Sequence, residues 1–334
     1  INKDIFDINE YSPTVLSFLN NNGKLKILPL DFNINYSSHH PYNRNNGSMI
    51  TNRGYQQLIS VGIYLEMGPL SIQLKPENIY AENKDYDGFW EGHYDIIWAK
   101  RYNLWNNSDL PERFGIHDYK KTTFGQSSIR LNYKSLSLGL SSENIWWGPS
   151  VRNGIMMSNN AQGFNHITFN TRKPIKTFIG NFEFQLVTGR LEPSGFNPPN
   201  IDRTYAGTKL FVPKINQNAE TGDWRFFQGY TITYSPIWVP GFHVGLNRWA
   251  QMYGAMFEGR YNWIADANNG AKVGWFPIFN NFLRKNDKIE PYERETDQAA
   301  SVFFRWFWKD SKAEIYGDFA HNDSKVNLRD LLLD

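Results

Sequence analysis

Ser128-Ile129-Arg130-Leu131-Asn132-Tyr133-Lys134-Ser135-Leu136-Ser137-Leu138-Gly139-Leu140-Ser141 decides the fold class. Ile129, Leu131 and Tyr133 alternate with Arg130 and Asn132, and Leu136, Leu138 and Leu140 follow at the same period. Strand side chains point alternately to two faces, so each run has one apolar face and one that is not. The pattern recurs elsewhere. Leu70, Ile72 and Leu74 alternate with Ser71 and Gln73, Phe178 is followed after Gly180 by Phe182, Phe184 and Leu186, and threonines separate Tyr230, Ile232 and Tyr234. Near the end Ala313, Ile315, Gly317 and Phe319 alternate with Glu314, Tyr316 and Asp318. Arg130, Glu183, Glu314 and Asp318 fall on the non-apolar face, which is the wet lumen of a barrel or the solvent side of a sandwich.

Candidate strands separated by Asn, Gly, Pro and Asp clusters fill the chain from Leu25 onward,. Ahead of them a short helix is predicted: Ser12 can cap it, Pro13 suits its first turn, Val15, Leu16, Phe18 and Leu19 give an apolar face, and Asn22-Gly23 stops it,. The expected division is therefore an N-terminal segment over 1–24 and a β domain over 25–334.

Composition favours a barrel over a sandwich. Aromatic residues make up 16% of the chain while all hydrophobic residues reach only 40%, and mean hydropathy is −0.56. A barrel wall reconciles these values by alternating apolar outer residues with polar lumen residues and ringing both rims with Trp and Tyr. Aromatic clusters at Phe89-Trp90, Trp146-Trp147, Phe226-Phe227 and Phe303 to Trp308 are placed as such girdles. Glu82 to Lys121 and Ala265 to Glu295 are long, polar and rich in aromatics, as surface loops of a barrel are,. No run of about 18 apolar residues exists for a spanning helix, so membrane residence would require strands.

Several function classes are disfavoured. Net charge is +2 with no basic run, so nucleic acid is not an expected partner. Cysteine is absent, which removes thiolate metal sites, cysteine nucleophiles and disulfides. The tightest histidine cluster, His39-His40, has poor ligand spacing, and no zincin helix, nucleophile elbow or phosphate-cradling loop is found. Glu143, Asp223, Glu258, Asp266 and Asp318 could be paired as a glycosidase acid and nucleophile,, but solvated charges are the commoner role of such residues. No metal, cofactor or catalytic residue is expected. Trp and Tyr mixed with Asn, Arg and carboxylates in loops suit sugar rings and hydroxyls better.

Ser142-Glu143-Asn144-Ile145-Trp146-Trp147-Gly148-Pro149, followed by Met157-Ser158-Asn159-Asn160-Ala161-Gln162-Gly163-Phe164, resembles the signature of the Wzi capsule-assembly family. Leu28-Pro29, Pro41-Tyr42-Asn43, Asn45-Asn46-Gly47, Gly54-Tyr55-Gln56 and Lys75-Pro76-Glu77 are similar to that family's opening hairpins, and Asn327 to Leu332 to a stretch near its last strands. The Asn-rich composition is closer to its Bacteroidetes branch.

The resemblance implies an all-β, transmembrane antiparallel outer-membrane barrel of about eighteen strands in a Gram-negative bacterium. It implies that the periplasmic portion is reduced to the short helix within 1–24, and that the last strands fall outside a chain stopping at Asp334. The implied function is non-enzymatic: a lectin-like barrel that binds or helps retain and assemble capsular or lipopolysaccharide-type surface polysaccharide, with outer-membrane lipid around it. The alternatives are an accessory or structural subunit of a larger outer-membrane export complex, and a carbohydrate-active hydrolase on a β scaffold.

Trp146, Trp147, Gly148 and Pro149 have a structural reading as a girdle pair and a tight turn that ends a strand. The functional reading places Glu143, Asn144, Trp146, Trp147, Arg152, Asn159, Asn160 and Arg172 in the lumen or its mouth as a glycan-binding lining. The arginines would suit acidic sugars, because a guanidinium fork matches a carboxylate.

Overall fold

The computed structural model describes residues 15–18, 22–212, 224–254 and 297–322. Its first strands are β1 (Val15–Phe18), β2 (Gly23–Ser37), β3 (Gly54–Met67), β4 (Leu70–Leu74) and β5 (Glu77–Ala81). The helix α1 (Asp95–Asn107) precedes β6 (Tyr119–Thr123), β7 (Ser128–Tyr133), β8 (Leu136–Ser141) and β9 (His166–Thr171). Next come β10 (Ile175–Lys176), β11 (Gly180–Leu191), β12 (Thr204–Tyr205) and β13 (Thr208–Lys209). The last are β14 (Arg225–Pro236), β15 (Phe242–Tyr253), β16 (Asp297–Trp308) and β17 (Ala313–Asn322).

One 15-stranded sheet follows the path β1-β2-β3-β4-β7-β8-β9-β11-β14-β15-β16-β17, with β5, β6 and β10 attached beside it. Every ladder in it is antiparallel. No ladder joins β1 to β17 among the described residues.

The sheet is nevertheless curled. Ten strand spacings from β2 to β17 would separate them by roughly 50 Å if flat. Yet the segment after β8 touches both regions: a side chain at Gly148 would lie 2.9 Å from Asp318 of β17, while the Asn159 carbonyl accepts the Gly47 N–H of the β2–β3 connection at 2.8 Å. Trp147 and Met157 form a bridge between the two arms of that segment, so it is too compact to reach both regions of a flat sheet.

Polarity is inverted relative to a protein folded in water. On β7 and β8 Ile129, Leu131, Leu138 and Leu140 are 50–61% exposed, whereas Ser137 is 2% exposed. On β9 Ile167 is exposed and Thr168 buried, and on β3 Gln56 and Ser60 are buried while Val61 and Ile63 are exposed. On these strands the outer face is thus apolar and open and the concave face largely polar and closed, while Val187, Phe227 and Phe303 add buried apolar residues to the concave face farther along. At the ends of β14–β16 nearest residues 225, 253 and 297, the outer parity is buried instead, at Gln228, Ala250 and Met252.

Two irregularities keep this pattern in phase. β2 slips between Leu28 and Asp31, where Pro29 and Leu30 face only Val61. The extra residue exchanges odd for even, so Ile27 is outward before the bulge and Leu30, Phe32, Ile34 and Tyr36 after it. Pro29 has no N–H to contribute to a ladder, which suits a bulge. Between β6 and β7, Gly125 has φ +55°, and a Cβ there would lie 2.6 Å from the Lys75 carbonyl. Only glycine fits both constraints, and the kink leads into Gln126, whose amide reaches Glu77 and Asn144 on the concave side.

The two rims differ. Among the described residues, the connections 68–69, 134–135, 172–179, 237–241 and 309–312 lie at one end, and 38–53, 82–118, 142–165 and 192–212 at the other. At the short-turn rim outward aromatic rings pair across strands, Phe182 on Tyr234 at 4.8 Å and Phe242 on Trp306 at 5.8 Å, and along β16 Trp306 meets Trp308 at 4.8 Å. At the long-loop rim, α1 buries Trp98, Tyr102 and Trp105. The Tyr102 hydroxyl donates to the Pro199 and Asn200 carbonyls, which ties the 82–118 loop to the 192–224 connection.

Several expectations change. Val15–Phe18, placed in a helix by the sequence, forms β1 against Gly23–Lys26. The ladder with β2 satisfies the backbone of Val15–Phe18 instead,. Ser12, Pro13, the 265–295 loop, Asp223, Glu258, Asp266 and the 327–332 stretch lie outside the described residues. Trp306 and Trp308 lie on the outward face at the short-turn rim, whereas Phe226, Phe227 and Trp147, also expected as girdle rings, are buried. Phe89-Trp90 lies in the loop lobe, with Phe89 packed on Trp98.

Candidate functional site

β8 delivers the chain into the concavity at Ser142, and the next twenty-odd residues fold back on themselves. Trp147 N–H donates to the Met157 carbonyl, and the Asn144 amide donates to the Ala161 carbonyl at 2.8 Å. Gly163 lies so close to Ser142 and Glu143 that any side chain there would collide with their backbone. The two sequence segments that carry the family resemblance are therefore the two arms of one inserted hairpin.

Its apolar side is anchored on the wall. Ile145 and Trp147 cluster with Val187 of β11 and Phe227 of β14, and the Trp147 indole N–H donates to the Gln185 side-chain oxygen at 2.9 Å. Gly229 makes room, because a Cβ there would lie 2.5 Å from the Trp147 ring. The root of the hairpin is held by charge: Arg130 of β7 pairs with Glu143, which also accepts from Ser141 at 2.8 Å and Gln73 at 3.2 Å. Arg130 in turn donates to Asn170 at 3.0 Å.

A polar cleft of about 490 Å³ opens between this hairpin and the inner face of β2. Asp31, Asn33 and Asn35 line it from β2, and Asn45 and Asn46 from the 38–53 loop. Glu77, Gln126, Asn144 and Asn159 close the far side. Gln126 fixes that side, donating to Glu77 and to the Asn144 oxygen at 2.9 Å each and accepting the Asn144 N–H at 3.0 Å. Ser48 donates to Glu77, and Lys75 pairs with Asp31 at 2.5 Å. A smaller cavity of about 230 Å³, lined mainly by Ile145, Met156, Met157, Phe164 and Phe227, lies on the other side of Asn144.

The eight residues singled out from the sequence are divided among different places. Asn144 and Asn159 line the cleft. Asn160 and Arg152 brace its rim: the Asn160 side-chain oxygen accepts Asn45 N–H at 3.0 Å, and the Arg152 carbonyl accepts the Asn45 amide. Glu143 is engaged by Arg130, and Trp146, half-buried, donates to the Ser150 carbonyl at 2.8 Å. Trp147 is 2% exposed and so is neither a girdle ring nor a sugar platform. Arg172 follows β9, whose six residues carry the chain about 20 Å to the opposite, short-turn rim, where Arg172 is exposed.

Asp31, Asn33, Asn35, Asn45, Glu77 and Gln126 were not singled out from the sequence. The alternation Asp31-Phe32-Asn33-Ile34-Asn35-Tyr36 was the available signal for the three on β2. His39 and His40 are exposed in the 38–53 loop, and among the described residues no group of three or more His, Asp or Glu is placed to hold a metal ion.

No protein-family model matches the chain, and no curated protein matches it.

Proposed function

We propose that this chain forms the wall of a bacterial outer-membrane β-barrel whose long-loop rim binds and helps retain surface polysaccharide without altering it chemically. The observation that carries the reading is the inverted wall. A sheet that exposes Leu138 and Leu140 and buries Ser137 and Ser141 is at its most stable when the solvent outside it is hydrocarbon. Long connections at one rim, short turns at the other and an aromatic band at the short-turn rim support the same setting.

For the ligand, the support is a cleft at the long-loop end lined by carboxamides, each able to donate to and accept from sugar hydroxyls. The likeness of segments 142–149 and 157–164 to the Wzi capsule-assembly family adds to it, since those segments build one wall of the cleft.

Asp31 and Glu77 are a carboxylate pair within the cleft and bear on the hydrolase alternative. Each sits opposite Ser60 on neighbouring strands, so their backbones are about 10 Å apart. Both are engaged, Asp31 by Lys75 and Glu77 by Ser48 and Gln126, and we take them as lining. Release of new reducing ends from a bound polysaccharide would overturn that. The accessory-subunit alternative is favoured by Trp90 and Tyr94, 68% and 82% exposed on the α1 lobe.

The full chain should fractionate with membranes and require detergent for extraction; recovery in the aqueous fraction would sink the barrel. In detergent it should bind, saturably, polysaccharide from the surface of the cells that make it. Failure to bind any surface glycan, together with a co-purifying protein partner, would move the function to the accessory role.

A further inference from the structure

We infer that the cleft between β2 and the inserted hairpin takes an uncharged or amino-bearing stretch of polysaccharide and refuses acidic segments. The inference rests on the glycan-binding reading above and adds the class of glycan, from the charges and free amides of the cleft.

The charge inventory is one-sided. The cleft presents two carboxylates, Asp31 and Glu77, and no cation among its described lining. Lys75, which reaches the lining, is already paired with Asp31 at 2.5 Å, Arg130 is paired with Glu143, and Arg44, next to Asn45, is exposed and not part of the lining. Arg152 gives its carbonyl to Asn45 and is not among the lining residues, and Arg172 lies at the other rim. A uronate bound here would lose water and face Glu77, which is 7% exposed, with no partner for its own charge. An ammonium group, or no charge at all, carries no such cost.

The amides point the same way. The side chains of Asn33, Asn35, Asn46 and Asn159 have no hydrogen-bond partner among the described residues, and all four line the cleft. Asn45 is held in the left-handed region at φ +53°, its amide nitrogen committed to the Arg152 carbonyl. Its side-chain oxygen is buried without a partner and offers an acceptor for a hydroxyl, amide or ammonium hydrogen. Met49 and Leu58 give the cleft an apolar floor, and no aromatic ring lines it among the described residues. Recognition therefore runs through hydrogen bonds without ring stacking, so a short oligosaccharide binds weakly and a long polymer spanning many barrels binds by avidity.

The test uses the full chain in detergent and surface polysaccharide from the cells that make it, separated on an anion exchanger into unretained and retained fractions. The unretained fraction should bind, an Asn33→Ala/Asn35→Ala variant should bind it at least tenfold more weakly, and Asn35→Lys should gain affinity for the retained, acidic fraction. Detergent-resistant gel mobility checks that both variants fold. Equal or preferential binding of the acidic fraction by the unaltered protein overturns the inference and leaves the glycan-binding function standing. Unretained polymer that binds unchanged to Asn33→Ala/Asn35→Ala overturns the placement in this cleft. Failure of both fractions to bind overturns the inference together with the function it rests on.

Discussion

On β8 the buried side chains are Ser137 and Ser141 and the exposed ones Leu138 and Leu140, whereas on α1 the buried side chains are Trp98, Tyr102 and Trp105, and Asp95 and Lys100 are exposed. Both belong to one chain, and local pattern alone does not explain the contrast. The lobe around α1 has an aromatic core with Arg101 and Arg203 stacked at its edge, 4.9 Å from Trp105 and 4.5 Å from Trp98, although Ile96, Leu104 and Ile116 remain exposed. The wall exposes its apolar side chains, as the outer-membrane setting proposed above requires. The change of surface character can be followed along β5 and β6, whose outward residues Asn78, Tyr80, Lys120 and Thr122 are polar, while β7 turns Ile129 and Leu131 outward. The inserted hairpin is the third environment: it carries a small apolar core, Ile145 and Trp147, into the polar interior and docks it on Val187 and Phe227.

Four substitutions or conditions would break or sharpen this contrast. Trp147→Ala should have the largest effect, destabilising the protein by about 3–5 kcal/mol because it empties the middle of the hairpin's anchor. The shift of the denaturant midpoint in detergent measures it, and a shift under about 1 kcal/mol would mean the hairpin is not docked. Leu131→Arg or Leu140→Arg on the wall should cost about 2–4 kcal/mol in lipid vesicles, while Ile116→Arg, 87% exposed on the loop side, should stay within about 0.5 kcal/mol. Equal costs at the two places would erase the distinction between hydrocarbon and water. Gly148→Ala should cost about 1–2 kcal/mol, since its φ of +91° disfavours an L side chain and the added carbon meets Asp318 at 2.9 Å. A neutral result would show that the hairpin tip does not reach β17.

The smallest effect concerns alkali. Burial, helped by Glu112, pushes the Tyr86 hydroxyl up to about 12, where it donates to the Glu112 carbonyl. A group raised in the folded state favours folding below its unfolded value and loses that contribution as pH climbs through the folded one. The lobe should therefore loosen between about pH 10 and 12, and Tyr86→Phe should remove this loosening. Hydrogen exchange of the 82–118 loop reports it, with the wall amides as the reference that does not respond.

Much of the wall was legible because its signal is local. Ile129, Leu131, Leu138 and Leu140 share a face through nothing but the two-residue period of a strand, and the long connection starting at Glu82 stood out by length and polarity. β1 departs from the expected helix because a short apolar run such as Val15-Leu16-Ser17-Phe18 fits a helix or a strand equally, and only the neighbouring edge of β2 decides between them. The site was less legible. Asn144 and Asn159 were found through the unusual segment that contains them, but Asn33 and Asn35 looked like ordinary wall residues, and nothing local marks Gln126 as the amide that joins wall to hairpin.

The sequence by itself determined the strand period, the alternation of polar and apolar residues and the placement of glycine at kinks such as Gly125, because each follows from the geometry of a few consecutive residues. Only the tertiary structure decided which face is concave, that Trp147 is an anchor rather than a girdle ring, and that β9 carries Arg172 away from the cleft. It also decided that Asn35, Asn45 and Asn144 meet, since the curl of the sheet and the return of the hairpin are sums over many strands that no short stretch of sequence encodes.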